Sequence, residues 1–184
     1  MTYITEFAKN IVSTAPRRSL LLAAGLTAGL AAPAAAQTAE QEVTFINTDG
    51  AEIGTASLTG TPAGLLIELD LKDLPAETWH GLHIHETGEC DPQGGFKSAG
   101  GHFAIAGTDH GFMSASGPHT GDMPNQYVAS DGTLKAQVLN TFAFLGGAQD
   151  NVSGRALMIH SGADDYESQP SGDSGDRMAC AVIE

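Results

Sequence analysis

Basic residues are scarce in this chain. Lys and Arg number 8 against 22 Asp and Glu, a formal net charge of −14. That balance argues against nucleic acid or an anionic membrane surface as a partner, because both are held by clustered cations. Cysteine is almost absent as well. Two residues, Cys90 and Cys180, allow only one intrachain pairing, with two unpaired thiols as the alternative. No apolar run reaches the roughly 20 residues that a spanning helix needs. The longest, Ser19 to Ala32, has fourteen. After residue 36 there is no convincing helical period, no internal repeat and no low-complexity tract.

What is present begins with a leader. Lys9, Arg17 and Arg18 precede the fourteen-residue run, and an Ala34-x-Ala36 ending follows it. A basic start, a short apolar stretch and small residues at the end make residues 1–36 a secretory signal peptide, cut after about Ala36. An N-terminal anchor is the other reading. "PRRSLLL" has a faint twin-arginine character, which leaves the export route open. No cysteine stands near the cut, which disfavours a lipid-anchored form. Removing the leader leaves five Lys and Arg against twenty-one acids, a net charge of −16 on about 148 residues. One domain with its own core fits that length. Export permits a disulfide. Closing a loop of about 90 residues between Cys90 and Cys180 would stabilise by about 4 to 5 kcal/mol in the loop-entropy view.

Residues 37–41 read as a flexible start, and the domain as 42–184. "EVTFINT" (42–48) and "EIGTASLTG" (52–60) flank Asp49-Gly50, a strong hairpin signal. In "GLLIELDLKDL", Leu65, Ile67, Leu69 and Leu71 alternate with Glu68, Asp70 and Lys72, the pattern of a strand with one buried face. "TWHGLHIHE" (78–86), "TLKAQVLN" (133–140), "GRALMIHS" (154–161) and "MACAVI" (178–183) are further strands. The fold is all-β, a sandwich or barrel. Two aperiodic stretches, 87–132 and 161–176, are rich in Gly, Pro, Ser and Asp. Loops that long in a compact domain are functional or disordered. The first holds His102, His110, His119 and Asp122, so a metal is the candidate for what pins it.

The seven histidines are the most specific feature. "HGLHIHETGEC" (80–90) carries three of them. On a strand, His83 and His85 share a face, about 7 Å apart at the backbone, while Ile84 points to the core. Such a pair alone is weak and reads equally as an exposed polar face. Further along, His102, His110, His119 and Asp122 follow the spacing H-x7-H-x8-H-x2-D. Three imidazoles and a carboxylate suit tetrahedral Zn²⁺. His160, at the end of "ALMIH", joins His83 and His85 in an all-nitrogen set suited to copper.

With "HGLHIHETGEC", "SAGGHF", "GPHTGDMPN", "MIHSGADDY" and "DRMACAVI" in this order, the sequence resembles a copper/zinc superoxide dismutase of the exported bacterial kind, from about residue 42 to 184. The resemblance implies a Greek-key β-barrel or sandwich of about eight antiparallel strands with two long functional loops. It implies copper on His83, His85, His102 and His160, and zinc on His102, His110, His119 and Asp122, with His102 bridging. It implies a carboxylate, Asp164, hydrogen-bonded to a ligand histidine at each metal, an anion-guiding Arg177, and the Cys90–Cys180 disulfide. His80 would order backbone instead of binding metal. Trp79 and Phe103 read as packing residues, Asp165 as a solvated neighbour of Asp164, and "DDYESQPSGDSGD" as a solvated loop.

The implied reaction converts two superoxide anions and two protons to O₂ and H₂O₂ by alternating Cu(II) and Cu(I), in the periplasm, in a monomer or homodimer. His102 would act as proton donor as well as ligand, and zinc, a closed-shell ion, would be structural. The loop from His160 to Arg177 departs from better-known eukaryotic members: it carries five acids and no lysine, which bears on capture rate, with Lys97 the remaining candidate cation. A non-catalytic periplasmic protein that binds or delivers copper and zinc is the rival reading. A carrier would have no use for Arg177. A β-sandwich stapled by zinc alone would leave His83, His85 and His160 unexplained.

Overall fold

The computed structural model describes residues 39–147 and 150–184. The leader expected at 1–36 lies outside them. Among the described residues nine strands form: β1 (Glu40–Asn47), β2 (Glu52–Thr61), β3 (Gly64–Leu71), β4 (Trp79–His80), β5 (Leu82–His85), β6 (Gln126–Tyr127), β7 (Leu134–Asn140), β8 (Arg155–His160) and β9 (Arg177–Ile183). Among the described residues there is no α-helix, only a 3₁₀ turn at Lys97–Ala99. Seven strands make one antiparallel sheet in the order β5-β8-β9-β1-β2-β3-β7, and β4 pairs with β6 apart from it. The sheet curls on itself into the antiparallel β-barrel that the resemblance implies.

The alternation in β3 places Leu65, Ile67, Leu69 and Leu71 in the core, with Glu68 and Asp70 outside. Burying each such aliphatic side chain contributes about 1.5 to 3 kcal/mol. The Asp49-Gly50 turn joins β1 to β2 as its sequence demands. Gly50 has φ 78°, and the Asn47 carboxamide accepts the N–H groups of Asp49 and Ala51. β1 starts at Glu40, two residues earlier than expected. Glu40 and Gln41 keep register with Thr59 and Leu58, so the ladder extends into the stretch read as flexible.

The strand expected over 78–86 divides at Gly81. Its N–H donates to Gly162 and its carbonyl accepts from His160, so β4 turns toward β6 while β5 stays beside β8. Trp79 departs from its packing role. It is 55% exposed, touching Tyr127 across the small sheet with ring centroids 5.1 Å apart. Phe103 is buried as expected, with the Arg155 guanidinium over its ring. Cys90 and Cys180 form a disulfide with Cα atoms 5.8 Å apart, tying the long loop after β5 to β9. Beneath that link Phe96, Ala99, Ala156 and Met158 form a second small core.

Candidate metal centre

Strand geometry delivers the first two histidines. His83 and His85 project from one face of β5 and Ile84 enters the core from the other. The loop after β5 then returns along the same strand. Ile84 donates to Gly121 O, Phe103 donates to Ile84 O, and Gly121 donates to Phe103 O. A side chain on Gly121 would put Cβ 2.3 Å from Ile84 O, so only glycine allows this approach. Isolated bridges His85↔His102 and His83↔Asp122 set two loop residues directly opposite the strand histidines. His160 arrives at the end of β8, which pairs with β5.

Four imidazoles converge in one half of the cluster: His83, His85, His102 and His160. Their outer nitrogens are occupied. Nδ1 of His85 donates to Gly100 O at 3.0 Å and Nδ1 of His160 to Gly175 O at 3.3 Å. Nε2 of His83 donates to Asp164 Oδ2 at 2.7 Å, and Nδ1 of His102 donates to Asp122 Oδ1 at 3.0 Å. The inner nitrogens are left bare. His85 Nε2 and His160 Nε2 face each other at 3.3 Å, and with both outer N–H groups committed the two present lone pairs. His83 Nδ1 and His102 Nε2 are buried with no partner at all. A buried nitrogen without a partner costs about 1 to 3 kcal/mol. An ion that takes nitrogen ligands removes that cost at each one, so the donor set fits such an ion.

In the other half, Asp122 is the hub. Its Oδ1 lies 3.0 Å from His102 Nδ1, 3.1 Å from His110 Nδ1 and 3.5 Å from His119 Nδ1. Its Oδ2 accepts the N–H groups of Gly111 and His119. The tightest grouping here consists of His83, His102, His110 and Asp122. His119 is slightly further out, half-buried, with its Nδ1 free of any hydrogen-bond partner. His83 belongs functionally to the first half, because its Nε2 is committed to Asp164 and its bare Nδ1 is the nitrogen available. His102 alone directs one nitrogen at each half.

Asp164 ties the halves from outside, accepting from His83 Nε2 at 2.7 Å and from His110 Nε2 at 3.0 Å. Two carboxamides hold the loops around it. Asn125 accepts from Asp164 N and donates to Asp164 O, both at 2.8 Å. Gln169 accepts from His110 N and donates to His110 O, both at 2.9 Å. Each loop thus grips the other's main chain. Neither contact was legible in the sequence; Gln169 lies inside the acidic stretch read as solvated, and no spacing marks it. His80 orders backbone as expected, with Nδ1 donating to His160 O at 2.8 Å. Asp165 is exposed and caps Glu167 and Ser168.

Electrostatics separate the halves. Burial, with the neighbouring histidines, lowers His85 to about 2 and His160 to about 3. Burial lowers His102 to about 4 despite Asp122, and it lowers His83 as well. These rings are neutral at physiological pH, the form in which imidazole ligates metal. His110 is the opposite case. Burial works against its charge, but hydrogen bonds to Asp122 and Asp164 outweigh burial and raise it to about 9. Those histidine contacts likewise hold Asp122 and Asp164 below the usual carboxylate range against the pull of burial.

The first half opens to solvent through a cavity of about 290 Å³ lined by His85, His102, His160, Pro170, Ser171 and Arg177, among others. Arg177 Nη1 donates to Phe96 O at 2.6 Å and Nη2 to Gly100 O, which fixes its guanidinium at the rim. Lys97 is exposed and does not line this opening. A larger cleft of about 370 Å³ beside Cys90 and Cys180 holds no histidine.

An antiparallel barrel whose loops bring five histidines and an aspartate into two adjoining groups, with His119 just outside them, has the donor set of a protein that holds two metal ions side by side. The chain belongs to the copper/zinc superoxide dismutase family, whose model, described as copper/zinc superoxide dismutase (SODC), matches residues 52–183. It is 49% identical over 143 residues to superoxide dismutase [Cu-Zn] 2 of Aquifex aeolicus, covering 76% of this chain and 83% of that one. It is 38% identical over 141 residues to the Caulobacter vibrioides superoxide dismutase [Cu-Zn], covering 73% and 80%. The crystal structure of a superoxide dismutase-like protein from Bacillus subtilis superposes with a TM-score of 0.75 at 33% identity, over 80% of this chain and all of that one. Family membership brings the activity, an enzyme dismutating superoxide, and its two metals, copper and zinc. Bacterial relatives and the disulfide together mark an exported protein.

Proposed function

We propose that the open half is the copper site, formed by His83, His85, His102 and His160, and that the closed half is the zinc site, formed by His102, His110, His119 and Asp122. The observation that carries this reading is the set of bare buried nitrogens, His83 Nδ1, His102 Nε2 and His119 Nδ1, with every outer nitrogen of the copper half already bonded. Copper held by these four histidines would supply one-electron redox chemistry between two superoxide anions, whereas zinc has no accessible redox state.

The chain's own groups do the rest. Arg177, fixed at the cavity rim, draws the anion inward against the overall negative charge, since a lone cation in a narrow opening focuses the field. Gly100 and Gly175 carbonyls fix the tautomers of His85 and His160, so that both present Nε2 to the cavity side. His102 would turn Nδ1 to the zinc site beside Asp122, leaving Nε2 as the position at which a proton is held and passed to the product. Asp164 sets the orientation of one ring in each half.

Residues 1–36 serve as the export signal, cut after about Ala36, and the mature domain, 42–184 with its short N-terminal lead, works in the periplasm as a monomer or homodimer, free of membrane and nucleic acid. A carrier of copper and zinc would need the ligands but not the arginine at the rim, and that favours the enzyme. Superoxide decay measured on purified mature protein, with copper and zinc quantified in the same sample, tests the reading. Fast decay at one copper and one zinc per chain is expected; no decay at that metal content would overturn it.

A further inference from the structure

The wall of the copper-half cavity is attached to the zinc half. Pro170 and Ser171 line the cavity. The residue before them, Gln169, is joined to the main chain of His110 by two hydrogen bonds of 2.9 Å. The residue after them, Gly172, lies against the His110 ring and Asp164. A Cβ there would stand 2.5 Å from His110 Nε2, and Gly172 has φ 67°. The segment 169–172 is therefore pinned at both ends to one histidine that faces away from the cavity. Apart from a bond to Glu167 O, the carboxamide of Gln169 makes no other hydrogen bond.

We propose that Gln169 is a positioning residue that sets the cavity wall from His110, so that occupancy of the zinc half tunes how an anion enters the copper half. The inference rests on the assignment of the two halves given above. Gln169 touches no ligating atom and meets His110 only at its main chain. It acts by holding Pro170 and Ser171 at the distance from His85, His160 and Arg177 that a small anion needs. When the carboxamide is removed, the segment keeps the Gly172 contact and its local turn bonds to Ser168, Asp165 and Ser174 but loses its hydrogen-bonded link to the His110 main chain, and the copper half no longer reports the state of His110.

The test uses the copper-loaded protein with and without zinc, titrated with azide as a small anion and followed in the visible spectrum of copper. For the wild type, zinc removal weakens azide binding by about fivefold or more, the usual scale of coupling between sites. In Gln169→Ala with zinc bound, azide affinity falls to that of the zinc-free wild type, and zinc then changes it by less than about twofold. Gln169→Glu, which accepts from His110 N but cannot donate to His110 O, falls between the two. Zinc content stays at one per chain in both variants. Wild-type-like azide affinity and zinc dependence in Gln169→Ala overturn the proposal, even with a lowered Tm, because the contact would then only stabilise the loop. Absence of any zinc dependence in the wild type overturns it too, while leaving the site assignment intact. Failure of the wild type to take up copper and zinc would instead sink the assignment itself.

Discussion

The two halves of the histidine cluster share a ligand, lie in contact and are built from the same residue type, yet they are prepared in opposite ways. The half assigned above to copper is made of neutral imidazoles whose outer nitrogens are tied to carbonyls and carboxylates, and three of its rings, His85, His102 and His160, line a cavity open to solvent. The zinc half is organised around a carboxylate, Asp122, and holds in His110 an imidazole that keeps its proton at neutral pH. The difference comes from what each ring faces. His85 and His160 meet carbonyls and other imidazoles, and His83 and His102 each meet a single carboxylate, so burial dominates in all four. His110 lies between two carboxylates, so charge dominates. One half is ready for an ion and open to substrate; the other must give up a proton and is shut away from it.

His102 is where the comparison breaks first. His102→Ala removes a nitrogen from each half, so superoxide decay should fall by at least about a hundredfold, with both metals reduced in content. Loss of one metal alone would show that the halves do not share this ring. Asp164→Ala comes next. It leaves His83 Nε2 and His110 Nε2 without their acceptor, and affinity for each metal should drop about 10- to 100-fold, read by competition with a chelator. An effect confined to one half would mean that Asp164 orients only one ring. Arg177→Ala should act on the open half alone. Capture of superoxide is expected to slow about tenfold or more at low salt, with both metals retained. Unchanged decay in the fully metallated variant would remove Arg177 from the mechanism.

The smallest effect sharpens the electrostatic contrast and needs no metal. In the metal-free protein, His85, His102 and His160 titrate below the free value of 6.5. As pH falls below about 6.5 the unfolded chain takes up protons that these folded rings refuse, so stability declines. His110 has the opposite sign. Its contribution is complete below about 6.5 and is lost as pH rises through about 9. Denaturant unfolding across this range should therefore show a stability maximum between the two limbs. His110→Asn should flatten the alkaline limb only. A monotonic profile would contradict the division.

Much of this was legible in the chain because it rests on period and spacing. Alternation in Leu65 to Leu71 marked β3, Asp49-Gly50 marked the first turn, and the histidine intervals pointed to residues that the fold does bring together. What stayed hidden has no period. The Gln169 and Asn125 contacts join an amide to a main chain distant in sequence, and no local pattern records such a pairing. β6 has two residues, too few for alternation to register. Gly81 divides an otherwise continuous strand because two other loops claim its N–H and C=O. Trp79 looked like a packing residue by its type, but the small β4–β6 sheet leaves that face without a cover.

The pairing of β1 with β9 joins Ile46 to Cys180 and Asn47 to Ala179. A polypeptide made from its N-terminus therefore delivers the first strand long before its neighbour. Barrel closure, the disulfide and the last copper-half histidine all wait for the final third of the chain. Topologies dominated by such distant contacts fold slowly. Completion of the histidine cluster must then be a late event in folding, and a partly made chain spends that interval with β1 lacking one neighbour.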